Sequence, residues 1–544
     1  MRSPVLVLGP VLRHVDTTSA TLWIEADQRC TVEVAGCSAR TFCVGGHHYA
    51  LVAVTGLEPG TSTPYDVKLD GDVVWPLPDS AHPPSRIRTH LGDDGDAFRI
   101  VFGSCRHVVP LSPRQRRKLG GDALDAYAVR MAGLPEAEWA DALLLLGDQV
   151  YADETSPATQ EWLRRRRDTS SPPGLGVADF EEYTRLYSES WSDPDVRWLL
   201  STVPTSMIFD DHDVHDDWNT SRAWRARMAA ESWWSARIRG AIVAYWVYQH
   251  LGNLAPADLD SDDLFRRVQR LGGTGDALDV LREFAEHADA EADGAKSTRW
   301  SYRRDFGAIR LLVIDTRCGR ILDGRRLMVS DEEFDWITES TRGDYAHLLI
   351  GSSLPWLLPG ALHQVEAANE AACELPGWRG RLAERVRQGL DLEHWASFQQ
   401  SFTRLAELVR HVARGAHTAR PPSTISVLSG DVHHSYVARA RFADEVDSRV
   451  WQLTCSPVHN VAPGPVRLAF RAAWSAVANR LCQRWAQRRE VPSAAVSWER
   501  TAGPYFRNQV AVLTIDGANA EVAFEPAERE PVRVPLTGTG ADVR

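Results

Sequence analysis

The stretch LLLLGDQVYAD, residues 143–153, sets four leucines directly against a glycine, an aspartate and a tyrosine. A run that is apolar at every position, not every second one, is buried on both faces, as strands of a parallel sheet are. In such sheets ligand groups gather beyond the carboxyl ends of the strands, where Asp148 and Tyr151 stand. Six more stretches share the pattern: FRIVFGSC (98–105), PTSMIFDDHD (204–213), IRLLVIDTR (309–317), HLLIGSSLP (347–355), TISVLSGDVH (424–433) and VWQLTCSP (450–457). Helical stretches separate them, so this part of the chain reads as α/β.

Four of these strand ends carry groups that bind cations. MIFDDHDVHDDWN, residues 207–219, packs five aspartates and two histidines into thirteen positions. Carboxylates this close repel, and taking them out of water is costly unless something positive meets them. The stretch is therefore a solvated loop or a place where a cation sits. The other ends contribute the thiol of Cys105, then Asp148 with Tyr151, and then Asp431 with His433 at i and i+2, on one side of an extended chain. Carboxylate, imidazole, thiolate and phenolate together are enough for two metal ions, whose charge answers the repulsion among the acids.

The pieces GSC (103–105), GDQVYAD (147–153), DDHDVHDDW (210–218), YWVYQHLGNL (245–254) and SGDVHHS (429–435) resemble, in order, the alkaline phosphatase D (PhoD-like) branch of the calcineurin-like metallophosphoesterases. The resemblance covers roughly residues 95–460. It implies a layered αββα core and a metal-dependent phosphoesterase that hydrolyses phosphomono- or phosphodiesters with a metal-activated water. It further implies that Asp148 bridges two metals, that Cys105, Tyr151 and His433 complete the first shell, and that Asp211 and Asp431 hold the second ion. His212 would face the substrate phosphate as charge stabiliser or proton donor. The pair implied is Fe3+ with Ca2+; oxygen donors suit calcium and thiolate a softer or redox metal, and other divalent ions also fit. Arg106, after the cysteine, reads equally as a phosphate-binding group or a structural ion pair. Two departures stand out: the family's DDHE is DDHD here, so Asp213 is a methylene short, and Ser352 or Ser353 stands where relatives in the wider superfamily place a metal-binding histidine.

At 544 residues the chain expects two or three structural units. Residues 1–92 read as an all-β, fibronectin III-like sandwich from alternating strands and GLEPGTSTPYDVKLDGD (56–72), with 89–98 as linker and 93–544 as the catalytic domain. Residues 221–300 read as a helical insertion whose aromatics pack the core. The net charge of −12 argues against a nucleic-acid partner. No signal-peptide or membrane-spanning run is seen and the eight cysteines form no CxxC pair, so a cytoplasmic protein with reduced thiols is expected. WLRRRRD (162–168) reads as a solvated loop. The basic amphipathic stretch 467–489 reads as a helix packed on its own domain, with a membrane surface the lesser reading. His215, Asp216 and Asp217 read as helix-start residues and solvated charge, and His434 as pointing away from the metals. The sequence does not fix an oligomeric state. The partner expected is a small phosphoester; the alternative is a metal-stabilised binding or scaffold protein on the same fold, without turnover.

Overall fold

The computed structural model describes residues 2–91, 97–294, 298–460 and 464–538. Residues 92–96, the middle of the expected linker, lie outside the described residues. All seven apolar stretches are strands, and they divide between two mixed sheets. In the first, Thr205–Ile208, Ala142–Leu146 and Phe98–Gly103 run parallel, and Gln509–Asp516, Asn519–Pro526 and Val532–Pro535 extend it antiparallel. In the second, Ile309–Ile314, His347–Ser352, Thr424–Ser429 and Arg449–Thr454 are parallel neighbours. Tyr302–Phe306 closes one edge of that sheet antiparallel, and Ser435–Phe442 with Val496–Tyr505 closes the other.

The sheets pack face to face. A Cβ on Gly351 would stand 3.4 Å from both Leu144 and Leu146 of the opposite sheet. Helices Ala123–Ala132 and Pro194–Thr202 lie on the outside of the first sheet's side, and Asp331–Ser340 and Gln399–Ala413 share the buried cluster outside the second. The result is a layered α/β core with every parallel strand buried along its length or nearly so.

Before it comes a small β-sheet domain. Strands Leu6–Val15, Ser19–Ala26, His47–Thr55 and Phe42–Val44 form one sheet, and Cys37–Arg40, Thr31–Val34, Val67–Leu69 and Asp72–Trp75 another. Leu22, Ile24, Val32, Val52, Val67 and Trp75 fill the space they enclose. The opposite face of the first sheet, through Trp23, Tyr49 and Leu51, joins the main hydrophobic core. Ser19–Ala26 is accordingly buried at all eight positions. The fully buried Arg13 fixes the join, donating to the carbonyls of Thr205, Tyr248 and Gln249.

Residues 222–290 are mostly helical, and Trp224, Trp234, Tyr245, Trp246 and Tyr248 are buried in the packing expected of them. Helix Trp234–Ala244 continues into a π turn, Tyr245–His250, which aims Gln249 Nε2 at the Tyr187 hydroxyl (2.8 Å) and Asp213 Oδ1 (3.4 Å). Two readings need correcting. The four-arginine run belongs to helix Pro157–Arg166 and its end, not to a loop; Arg166 and Arg167 are held by the fully buried Glu182. The stretch 467–489 is two helices, Gly464–Ala473 and Ala476–Gln487, broken at the Ser475 cap, and Ala486 is the one residue fully buried in them.

Candidate metal centre

Beyond the carboxyl ends of the parallel strands the chain turns sharply, and it does so at the residues singled out as ligands. Cys105 (φ 58°), Asp148 (φ 53°), Asp431 (φ 63°) and His433 (φ 48°) all adopt the left-handed backbone conformation that side chains disfavour. Such strain persists where surrounding structure imposes it, and it gathers at functional sites. Glycines make room beside two of the turns. A Cβ on Gly147 (φ +99°) would lie 2.5 Å from Asp210 Cβ, and one on Gly430 would lie 2.0 Å from Ser104 Oγ. This is why both acids follow a glycine. It also corrects the reading of 431–433: the pair shares a pocket through a left-handed turn, not through an extended strand, which ends at Ser429.

The turns bring the donor atoms together. Oxygens of Asp148, Asp210 and Asp211 all lie within 4.8 Å of one another, and all three residues are buried. The Tyr151 hydroxyl is 3.4 Å from Asp148 Oδ2, and Cys105 Sγ is 3.5 Å from the Asp431 carbonyl oxygen. Burial pushes the Asp148 carboxyl, the Cys105 thiol and the Tyr151 phenol well above their ordinary pKa values, and it lowers His433 to about 4. Asp148 Oδ1, Asp210 Oδ2, Asp217 Oδ1 and His433 Nδ1 are buried with no hydrogen-bond partner. Buried polar atoms normally have partners, so these four mark where a ligand is wanted. The Asp148 carboxyl, thiol and phenol that burial keeps protonated, beside an imidazole it keeps neutral, ionise readily only around a bound cation. The donor set fits metal ions.

One side of the centre carries its own counter-charge. Arg317, fully buried in the turn after Ile309–Ile314, ion-pairs through Nε with Asp210 and through Nη1 with Glu393. Its Nη2 lies 3.2 Å from Asp211 Oδ1 and 3.9 Å from Asp431 Oδ1. His394 bridges Asp431 Oδ2 (2.9 Å) and Glu366 (2.7 Å). Burial alone would lower the His394 imidazole, but Glu366 and Asp431 raise it well above its ordinary value. Arg317, Glu393 and His394 escaped the sequence reading. Arg317 obeys the same strand-end rule as Asp148 and was within reach of it; Glu393 and His394 lie in a loop that carries no such signal.

The other side is aromatic. The Tyr151 ring is stacked between His107 (centroids 4.3 Å apart) and His212 (4.6 Å), and Asn460 Nδ2 donates to its hydroxyl at 2.9 Å. His212 Nδ1 meets Asp153 Oδ1 at 3.1 Å. Burial would lower the His212 imidazole, yet the Asp153 carboxylate overrides it and raises the value well above the usual one. Asp153 ends the GDQVYAD motif but was given no role from sequence.

The remaining site residues fall as follows. Asp213 accepts from the backbone N–H groups of Asp148, Gln149, Val150 and Asp210, so it ties two ligand turns together from behind. Arg106 is buried in an ion pair with Asp122 (2.8 Å) and donates to Ser190. Ser353 bonds Thr316, and Ser352 bonds the Leu354 carbonyl and receives Trp395 Nε1. Asp216 is exposed, as expected, but Asp217 is not solvated: it is buried at φ 65°, its N–H donates to Asp211 Oδ2, and the next helix begins only at Arg222. His434 turns away from the acids and packs on Phe470 and Tyr436.

Comparison with known proteins gives the family and the fold. The family described as "PhoD-like phosphatase" matches residues 125–491, and a domain of unknown function, DUF7800, matches residues 3–87. A solved chain described as "Structure of PhoD" superposes with a TM-score of 0.58 at 12% identity, covering 98% of this chain and 90% of that one. No curated protein matches in sequence.

Proposed function

We propose, for a chain that belongs to the PhoD-like phosphatase family, a division of labour among its own residues in phosphoester hydrolysis. The chain is a metal-dependent phosphoesterase, and the observation that carries this is the buried triad Asp148, Asp210 and Asp211 at the ends of parallel strands. Asp148, which shares this cluster with Asp210 and Asp211, would be the carboxylate common to both ions. Cys105, Tyr151 and His433 offer the thiolate, phenolate and imidazole suited to iron, and Asp211 and Asp431, with Asp217 beside them, offer the oxygens suited to calcium. When bound, the metal pair supplies an ionised water near neutral pH and charge to offset the phosphate.

The chain does the rest. Asp153 fixes the His212 ring through Nδ1 and favours its protonated form, leaving Nε2–H to donate to a phosphate oxygen or to the departing alkoxide. Stacking on Tyr151 sets the ring plane. Asp213 keeps the turns of Asp148 and Asp210 at fixed separation, so the shorter side chain still reaches four amides. Arg106, spent on Asp122 and Ser190, positions the Cys105 turn and leaves phosphate binding to His212. The N-terminal unit, read as fibronectin III-like over residues 1–92, braces the catalytic part over 93–544 through Arg13 and Trp23.

The test is hydrolysis of paired nitrophenyl phosphate mono- and diesters by purified protein. It is run with Asp211→Asn, and with protein stripped by chelator and refilled with iron plus calcium. Turnover that the metals restore and Asp211→Asn loses is the expected result, and the ratio of the two substrates gives the ester class. Two bound metals without turnover of either ester would favour a binding protein on the same fold.

A further inference from the structure

Helix Trp378–Gly389 and helix Ala476–Gln487 both pack on helix Gly360–Cys373, the second through Ala486 against Ala367 and Ala368. Each turns an apolar stripe the other way. Trp378, Leu382 and Val386 recur every fourth residue on one; Val477, Leu481 and Trp485 do so on the other. Side chains of this kind are normally covered, yet Trp378 is 65% exposed, Leu382 51%, Val477 69% and Leu481 60%. Exposed arginines flank both stripes: Arg379, Arg381 and Arg385 on the first, Arg480, Arg484 and Arg488 on the second. Arg379 and Arg489 lie over the rings of Trp378 and Trp485 at 5.7 and 4.3 Å. Residues 464–489 hold six arginines and no acid, in a chain whose net charge is −12.

We infer that the second of these helices, Ala476–Gln487, forms a docking surface for an anionic lipid bilayer. Apolar stripes edged by arginine and backed by tryptophan are what a helix lying in the headgroup layer requires: side chains reach the acyl boundary while the guanidinium groups meet phosphate. Nucleic acid would use the arginines but leave the leucines in water. A second copy would cover the leucines, but two-fold pairing would set arginine rows against arginine rows. Only a surface both apolar and anionic satisfies both halves. Helix Gly464–Ala473, next to the second stripe, packs through Phe470 on His434 (centroids 4.2 Å apart), and His434 adjoins His433 of the metal centre.

The experiment is flotation of the full chain with vesicles of phosphatidylcholine alone or with about 30 mol % phosphatidylglycerol. Binding to the anionic vesicles, roughly tenfold weaker to the neutral ones and weakened by salt, is expected. Val477→Glu with Leu481→Glu, and separately Arg480→Glu with Arg484→Glu, should each lower binding roughly tenfold or more. Because these positions are exposed, hydrolysis of a soluble nitrophenyl ester and the far-ultraviolet circular dichroism should not change. No flotation with anionic vesicles overturns the inference, as does equal binding by wild type and both variants. A dimer in light scattering that Leu481→Glu dissociates, without vesicle binding, overturns it in favour of a second copy.

Discussion

Asp210 and Glu393 close on the guanidinium of Arg317, whereas Asp148 keeps one oxygen without a partner and shares the other with the Tyr151 hydroxyl. Both groups of acids are buried at the same end of the same two sheets, yet they are balanced by different means. Around Arg317 a buried guanidinium of the chain itself meets part of the acid charge, so that side leans on the fold. Around Asp148 the donors are complete only with a cation from outside. Substitutions on the two sides should therefore separate stability from activity.

The largest effect should come from Asp148→Ala, which removes the central donor. Turnover of a nitrophenyl phosphate should fall roughly 10³-fold or more, while far-ultraviolet circular dichroism shows the fold intact. A variant with normal turnover would break the comparison on its metal side. Arg317→Met should do the reverse in stability: it strands Asp210, while Glu393 keeps Arg320 and Thr220, and removing one partner of a buried pair costs about 3–5 kcal/mol. Denaturant unfolding at neutral pH measures this, and an unchanged midpoint would contradict that reliance on Arg317.

A smaller effect sharpens the contrast. Asp153→Asn leaves every proposed ligand in place but loosens His212, so kcat should drop about 10–100-fold. The alkaline limb of the pH–rate profile should move to lower pH, because the carboxylate that raises the His212 value is gone. A kcat loss with no movement of that limb would assign Asp153 to packing alone. The smallest effect lies far from the centre. His47 is held between Glu25 and Glu181 at 2.9 Å each, linking the N-terminal unit to helix Phe180–Trp191. Burial opposes the charge, but the two glutamates push the imidazole up to about 9. A raised value means stabilisation that is full below about pH 6.5 and lost as pH passes 9. His47→Gln should therefore remove on the order of 1 kcal/mol at pH 6 and almost nothing at pH 10.

Much of this was legible from sequence because parallel strands buried on both faces leave continuous apolar runs, and each such run was found. The alternating antiparallel strands of the N-terminal unit were legible too, but those at the edges of the two core sheets were not. Val496–Tyr505 is exposed or half-buried at nearly every position, so its residues carry no burial pattern to read. In the centre, Cys105, Asp148, Tyr151, Asp211, Asp431 and His433 were named because each follows a strand; the structure gathers them, and their roles await the tests above. Glu393 and His394 come from a loop folded in from elsewhere, and long-range proximity of that kind leaves no local mark. Asp217 was misread because a run of acids looks solvated until its burial is known.

The left-handed backbone at Cys105, Asp148, Asp431 and His433 sets a limit on how robust this molecule can be. Each such residue stores on the order of 1 kcal/mol of strain, less at the two aspartates, whose short side chains tolerate the conformation. Glycine at these positions would release that strain and discard the donor in the same stroke. Laboratory selection for heat resistance alone should therefore drift toward glycine at the strand ends, yielding sturdier proteins that have lost the chemistry. Retention of the side chains at these four turns is thus a sign of selection for activity.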